Sequence, residues 1–234
     1  MNYQVVQMLA SLTAAGCMRY PYASGHLIRT AETSTCLAAL MGLNTADRDR
    51  IRLAAPVHDI GKLAIPDDVL LKPGKLDPPE RTIIERHSSI GAELLAGGSD
   101  ELLQFASQIA RYHHEHFDGN GYPAGLCGEG IPLAARIVAV ADAFDAMTEP
   151  RSYRTAMTDD EALSVIAGGS GTHFDPRIAQ TFQGGISEIL RVREATNRAL
   201  ELGDDMELVA RFYGFTAGTT AVGNPARIRL RETR

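Results

Sequence analysis

Apolar residues recur every three or four positions along most of the chain, the spacing of one buried face on an α-helix. Leu27, Ala31, Ser34, Leu37 and Met41 form one such stripe after Ser24-Gly25, and Gly42 stands where a C-cap belongs. A second helix is predicted from near Thr45, with Ile51, Ala54, Ala55 and His58 on one face. Lys72-Pro73-Gly74-Lys75 reads as a turn. Asp77-Pro78-Pro79-Glu80 then supplies an N-cap, a proline at N1 and an acid at N3 for a helix through Leu95. Gly97-Gly98-Ser99 breaks it, and another helix is expected from Asp100 to His114.

Residues 117–132, FDGNGYPAGLCGEGIP, hold too many Gly and Pro for a helix. Periodicity resumes from Leu133 to Thr148. Thr158-x-x-Glu161 is a capping box, Asp175-Pro176 opens a further helix, and 186–202 reads as amphipathic through Ile186, Ile189 and Leu190. The end of the chain, RIRLRETR, reads as a solvated tail. The fold class is therefore all-α, with helices joined by short loops. Three segments are expected: a short N-terminal helical segment (1–19), a main domain (20–185) and a C-terminal helical extension with its tail (186–234).

Composition narrows the function classes. The 234 residues are 44% hydrophobic and 22% charged, which suits a packed core rather than disorder. A net charge of −6 gives no basic footprint for a nucleic-acid polymer, while a local cluster of cations can still hold a small anion. Three cysteines with no Cys-x-x-Cys pair favour free thiols in a reducing cytoplasm. No run approaches the ~20 apolar residues of a membrane span, and MNYQVVQMLASL does not read as a secretory signal.

The histidines and acids carry the chemistry. Of seven histidines, five fall between His58 and His116. His58-Asp59 sits in an apolar stretch, where an unpartnered carboxylate costs several kcal/mol and a metal cation would remove that cost. His87 has Ile83, Ile84 and Ile90 as helical neighbours and so faces the core, as a hydrogen-bonded histidine or a ligand. His113 and His114 are adjacent at a predicted helix end, where both can meet one ion beyond the terminus. Asp142 is an acid among apolar neighbours, and Asp145 lies one turn on; a ligand or ion-pair role is the better reading for both. His26, at the start of the first stripe, joins the set only because the others ask for a metal site.

These segments together resemble the HD-GYP family, a bacterial subgroup of the HD metal-dependent phosphohydrolases. They are HDIGK (58–62), IPDDVLLKPGKLDPPE (65–80), the histidine and glycine of 87–91, and HHEHFDGNGYPAGLCGEGIPLAARIVAVADAFDAMT (113–148). Arg151-x-Tyr153-Arg154 and GTHFDP (171–176) complete the series, which covers about residues 20–183. The resemblance implies an HD-type helical bundle with a Gly-rich GYP loop. It also implies a cytoplasmic enzyme that hydrolyses cyclic di-GMP to pGpG and often on to GMP. Two transition-metal ions, iron or manganese, are implied. One would be held by His26, His58, Asp59 and Asp142, the other by Asp59, His87, His113 and His114. Asp59 would bridge them, and a shared hydroxide would attack the phosphodiester. By the same resemblance Lys62 contacts the scissile phosphate, and Arg151 and Arg154 hold the other phosphate or a guanine. Asp145 belongs with the substrate contacts or orients a neighbour, and Gly121-Tyr122-Pro123 shapes the pocket.

Two positions depart from the family pattern. Tyr22 stands where members of the family with three metals have a glutamate, four residues before the first histidine, and a phenol is a poor ligand for such a site, so two metals are expected. Ser152 replaces a proline before Tyr153, which removes a stiffening residue. Other readings of the same motifs are an inert cyclic-dinucleotide receptor and a phosphodiesterase for a mixed cyclic dinucleotide. The 186–234 extension offers a surface for a homodimer or a protein partner.

Overall fold

A computed structural model describes residues 2–19, 23–150 and 155–215. Among these the structure is helical, with one isolated bridge, Ser170 to Phe174, as the only pairing of extended backbone. The helices are α1 (Tyr3–Arg19), α2 (Ala23–Leu40), α3 (Thr45–Ala54), α4 (Asp67–Leu70), α5 (Pro78–Leu95) and α6 (Glu101–Tyr112). They continue as α7 (Leu133–Thr148), α8 (Asp159–Gly168), α9 (Pro176–Gly184), α10 (Ile186–Leu200) and α11 (Asp205–Phe212). The all-α class expected from the periodicity is the class observed.

Local chemistry sets most boundaries. Asp77 accepts from the Glu80 N–H at 2.9 Å while the Glu80 carboxylate accepts from the Asp77 N–H at 2.8 Å, closing the box that starts α5. Thr158 and Glu161 do the same for α8. Gly42, at φ 84°, ends α2 as a C-cap glycine does. The helix expected to carry His58 instead stops at Ala54. Pro56 has no N–H to continue the ladder, and the chain tightens into a 3₁₀ turn, Ala55–Val57, with His58 at its end. The sequence did not predict α11, a short helix capped by Asp204. The tail beyond Phe215, Tyr22 and the segment 151–154 lie outside the described residues.

The centre of the molecule is α7. Ile137, Val138, Val140, Ala141 and Phe144 are all fully buried, so this helix is enclosed on nearly every side. One hydrophobic cluster includes Val5 and Leu9 of α1, Leu37 of α2, Ile189 of α10 and Leu208 of α11. The Tyr213 hydroxyl lies 2.9 Å from that of Thr13 and donates to the Leu53 carbonyl at 3.1 Å, tying the C-terminal side to α1 and α3. Among the described residues no helix is long and apolar enough to cross a membrane.

One contact places the His58-Asp59 pair against α5. A second 3₁₀ turn, Ile60–Ala64, lies so close to α5 that a Cβ on Gly61 would sit 1.9 Å from the His87 carbonyl oxygen and 2.5 Å from the Gly91 nitrogen. Both obstacles are backbone and cannot swing aside. Gly61→Ala should therefore lower stability by at least about 3 kcal/mol in denaturant unfolding, with bound metal lost in parallel. An unchanged midpoint would mean that the two backbones are not in contact.

Candidate metal centre

Five elements deliver the predicted ligands to one place. His26 comes from the first turns of α2, His58 and Asp59 from the 3₁₀ turns, and His87 from the middle of α5. His113 is the C-cap of α6 with His114 next, and Asp142 lies on α7. The ligand atoms form two groups, each with its atoms within 4.8 Å of one another: Asp59, His87, His113 and His114, and His26, His58 and Asp142. Asp59 faces both. Its Oδ1 is 3.3 Å from His87 Nε2 and 3.8 Å from His113 Nε2, while its Oδ2 is 3.5 Å from His58 Nε2. Asp142 Oδ1 stands 3.2 Å from His26 Nε2 and 3.9 Å from His58 Nε2.

The histidine tautomers are set by backbone. Nδ1 of His58 donates to the Ala55 carbonyl at 2.8 Å, that of His87 to Ile84 at 2.6 Å, and that of His113 to Ala110 at 3.0 Å. A ring nitrogen facing a carbonyl must carry the proton, so each Nε2 presents a lone pair. These three Nε2 atoms and Asp59 Oδ1 are buried without a hydrogen-bond partner. Lone pairs aimed at a carboxylate oxygen repel it, and each orphaned acceptor costs about 1–3 kcal/mol. A cation among them removes the repulsion, and a mixed nitrogen and oxygen donor set suits a divalent transition metal. The residues therefore fit a metal pair with Asp59 between its members.

The electrostatics follow the same division. Burial holds His113 well below its usual range and brings His114 down to about 3, with the neighbouring imidazoles adding to both. Burial opposes ionisation of Asp59, but the Lys62 ammonium beside it holds it well below the usual carboxylate range. His26 goes the other way. Burial disfavours its charge, yet hydrogen bonds to Asp142 and Asp145 raise it to about 9.

Asp145 lines the cavity beside the centre and is also held by its neighbours. It is 2% exposed, and its oxygens are taken by His26 Nδ1 at 2.8 Å and by Arg29 Nε and Nη2 at 2.6 and 3.1 Å. It holds the imidazole that faces Asp142, as carboxylates behind metal-binding histidines do. Lys62 Nζ is paired with Asp59 Oδ2 at the edge of the centre. Arg151 and Arg154 lie outside the described residues.

The Gly-rich loop closes over His114. Tyr122 stacks on its ring with centroids 4.8 Å apart, and its N–H donates to the His114 carbonyl at 3.2 Å. A Cβ on Gly121 would sit 2.1 Å from the His116 nitrogen, so only glycine lets the loop fold back here. Pro123 follows on the exposed side. Sequence reasoning missed Glu115, which is 2% exposed and accepts the Ala124 and Leu126 N–H groups at 2.8 and 3.1 Å. Its signal was an acid with no solvent-facing helix to sit on. His116 stacks on His173 at 4.0 Å, away from both ligand groups. The Phe117 and Asp118 N–H groups bond the His173 and Thr172 carbonyls, which joins the loop to GTHFDP.

A cavity of about 820 Å³ opens beside the centre. His26, Asp59 and Lys62 line it, together with the cations Arg19, Arg29 and Lys72 and the acids Asp145 and Glu149. Arg19 pairs with Asp67, Arg29 with Asp145 and Glu149, and Lys72 with Glu80, so the walls carry both signs of charge.

His26 also predicts a proton count. The metal-free protein carries a proton on His26 near neutral pH, because its value is raised to about 9. A metal at Nε2 must displace that proton, whereas His113 and His114 are already neutral. Titration with Mn²⁺ in buffers of different ionisation enthalpy should show release of about one proton near neutral pH, fading above about pH 9. Apparent affinity should weaken as pH falls below that value. His26→Ala should abolish the release; full release in that variant would remove His26 from the centre.

The profile of the family described as HD domain matches residues 10–178. The cyclic di-GMP phosphodiesterase response regulator RpfG of Xanthomonas campestris pv. campestris is 46% identical over 169 residues, covering 72% of this chain and 45% of its own length. The 3'3'-cGAMP-specific phosphodiesterase 2 of Vibrio cholerae is 41% identical over 168 residues, covering 72% and 32%. The chain thus spans less than half the length of these relatives. A crystal structure of a cyclic GMP-AMP specific phosphodiesterase of V. cholerae superposes with a TM-score of 0.58 at 19% identity, covering 92% of this chain and 54% of that one. An HDG"Y"P protein from Bdellovibrio bacteriovorus gives 0.58 at 21%, covering 76% and 56%. These two structures share the fold. With the family profile covering most of the chain and the HDIGK and HHEHFDGNGYP segments meeting at one centre, the chain belongs to the HD-domain family, in its HD-GYP branch.

Proposed function

We propose that this chain is a metal-dependent phosphodiesterase that hydrolyses cyclic di-GMP to pGpG and onward to GMP, using two iron or manganese ions. The observation that carries the reading is Asp59, whose two oxygens face two separate ligand groups. Similarity to relatives named as cyclic di-GMP phosphodiesterases supports it. When bound, two such ions acidify a shared water toward neutral pH and draw charge from the phosphodiester.

The chain's own residues do the rest. Asp59 keeps the two halves of the centre at bridging distance. Asp145 and Arg29 hold the His26 ring, and backbone carbonyls hold His58, His87 and His113. Lys62 lines the cavity, where its ammonium can exchange Asp59 for a phosphate oxygen and steady the charge that develops there. Arg19 and Lys72 also line it, and each can exchange its carboxylate partner for a substrate phosphate. Arg151 and Arg154 are the further cations for the second phosphate or a guanine. Free cysteines fit a reducing cytoplasm. A second reading, a mixed cyclic dinucleotide as substrate, is favoured by the similarity to cGAMP-specific relatives.

The test is anaerobic hydrolysis of cyclic di-GMP and of its mixed GMP-AMP analogue with iron or manganese. Turnover of either by wild-type protein holding two metals per chain supports the enzyme. Tight nucleotide binding with no turnover would make the chain a receptor, and three metals per chain would overturn the two-metal reading. Asp59→Ala should abolish turnover and metal retention together. Lys62→Ala should keep its metal and lose about a hundredfold in kcat; a variant that loses metal but not rate would remove the phosphate role.

A further inference from the structure

Arg193 lies on α10, beyond the residues 10–178 that match the family. Its side chain is only 11% exposed and reaches away from its own helix. Nη2 donates to Glu149 Oε1 at 2.7 Å, and Nη1 donates to Asp159 Oδ1 at 3.3 Å. Nε is buried without a hydrogen-bond partner, 3.9 Å from Asp145 Oδ1. The guanidinium also lies 5.4 Å from the centre of the Phe144 ring. Glu149 is the C-cap of α7, and Asp159 is the first residue of α8. One side chain therefore grips the end of α7 and the start of α8, and Glu149, one of the two residues it holds, lines the cavity beside the centre.

The charges explain why the grip matters. Among the described residues, Asp145, Glu149 and Asp159 are three carboxylates served by two arginines, Arg29 and Arg193; Arg29 pairs with Asp145 and, at 3.1 Å, with Glu149. Without Arg193 the end of α7 and the start of α8 present like charges, and of these two arginines only Arg29 is left to Asp145 and Glu149. Repulsion and the lost fork would loosen Glu149 and Asp159 from α10, while Asp145 keeps Arg29 and His26. The metal ligands would stay in place while Glu149, which lines the cavity, would not.

We infer that Arg193 is a positioning residue for substrate binding: it clasps α10 to both ends of the α7–α8 connection and so couples the C-terminal extension to the cavity. The kinetic arm of its test rests on the phosphodiesterase reading above; the exchange arm does not.

The experiment compares full-length wild type with Arg193→Gln and with Asp159→Asn, which removes one hold at a half-exposed site and keeps the fold. Hydrogen exchange is measured on the manganese-loaded proteins without substrate. Amides of residues 155–159 should exchange about tenfold faster in Arg193→Gln and less so in Asp159→Asn, while amides of α6 do not change. The Met157 N–H, which bonds the Met147 carbonyl at 2.9 Å, is the most informative. With cyclic di-GMP, KM should rise about tenfold with kcat within about twofold and metal content unaltered, the mark of lost binding rather than lost chemistry. Unchanged exchange at 155–159 would overturn the clasp, as would a uniform rise across the chain or a fall in kcat alone. If Arg193→Gln does not fold, the same outcomes are read from Asp159→Asn. If wild type cleaves no cyclic dinucleotide, the phosphodiesterase reading fails and the exchange result alone decides the clasp.

Discussion

The structure depends on a repulsion. Three imidazole Nε2 atoms are buried with their lone pairs turned toward Asp59, those of His87 and His113 toward its Oδ1, and neither these nitrogens nor that oxygen has a hydrogen-bond partner. An ordinary core would not keep such an arrangement, because each group could recover its cost by turning or by meeting water. It persists here because the backbone leaves the rings no choice: the carbonyls of Ala55, Ile84 and Ala110 claim the other nitrogen of each. Such a centre is preorganised for a cation.

That constraint propagates outward in layers of alternating charge. Asp142 and Asp145 lie one helical turn apart on α7, and His26 sits between them with a carboxylate at each ring nitrogen. Arg29 neutralises Asp145 from behind, Glu149 answers Arg29, and Arg193 answers Glu149. No member is worth much in isolation as an ion pair, since desolvation offsets most of the attraction. Together they fix the direction of the ring that faces the metal, which is a question of geometry rather than stability.

The sequence exposed the first layer and hid the second. Asp142 was legible because an acid among Ile137, Val138, Val140 and Phe144 has no solvent to reach, and His113-His114 because packing has no use for two adjacent imidazoles. The capped helices were legible because a cap is local: Asp77 with Glu80 and Thr158 with Glu161 act within one turn. Arg29, Glu115 and Arg193 gave no comparable signal. A charged residue on an amphipathic pattern reads as solvated, and the partners that bury Arg29 are more than a hundred residues away. His58 was placed on a helix although Pro56 marked its end. The short α11 escaped because four buried residues, Leu208, Val209, Ala210 and Phe212, make too few repeats to count as a period.

The same distinction bears on what the family motifs encode. Gly61 and Gly121 carry no chemistry, yet each sits where a single methyl group would strike backbone beside a ligand, the His87 carbonyl in one case and the His116 nitrogen in the other. The His-Asp pair can approach α5 only through Gly61, and Tyr122 can lie flat on His114 only because Gly121 lets the loop return on itself. The metal ligands determine which ions the centre prefers, whereas the glycines determine how close the walls can come. Substitutions at either class would cost metal, but by different routes: one removes a donor atom, the other moves intact donors apart. Ligand count alone therefore underdescribes the motif, and the spacing of its glycines belongs to the site as much as the histidines do.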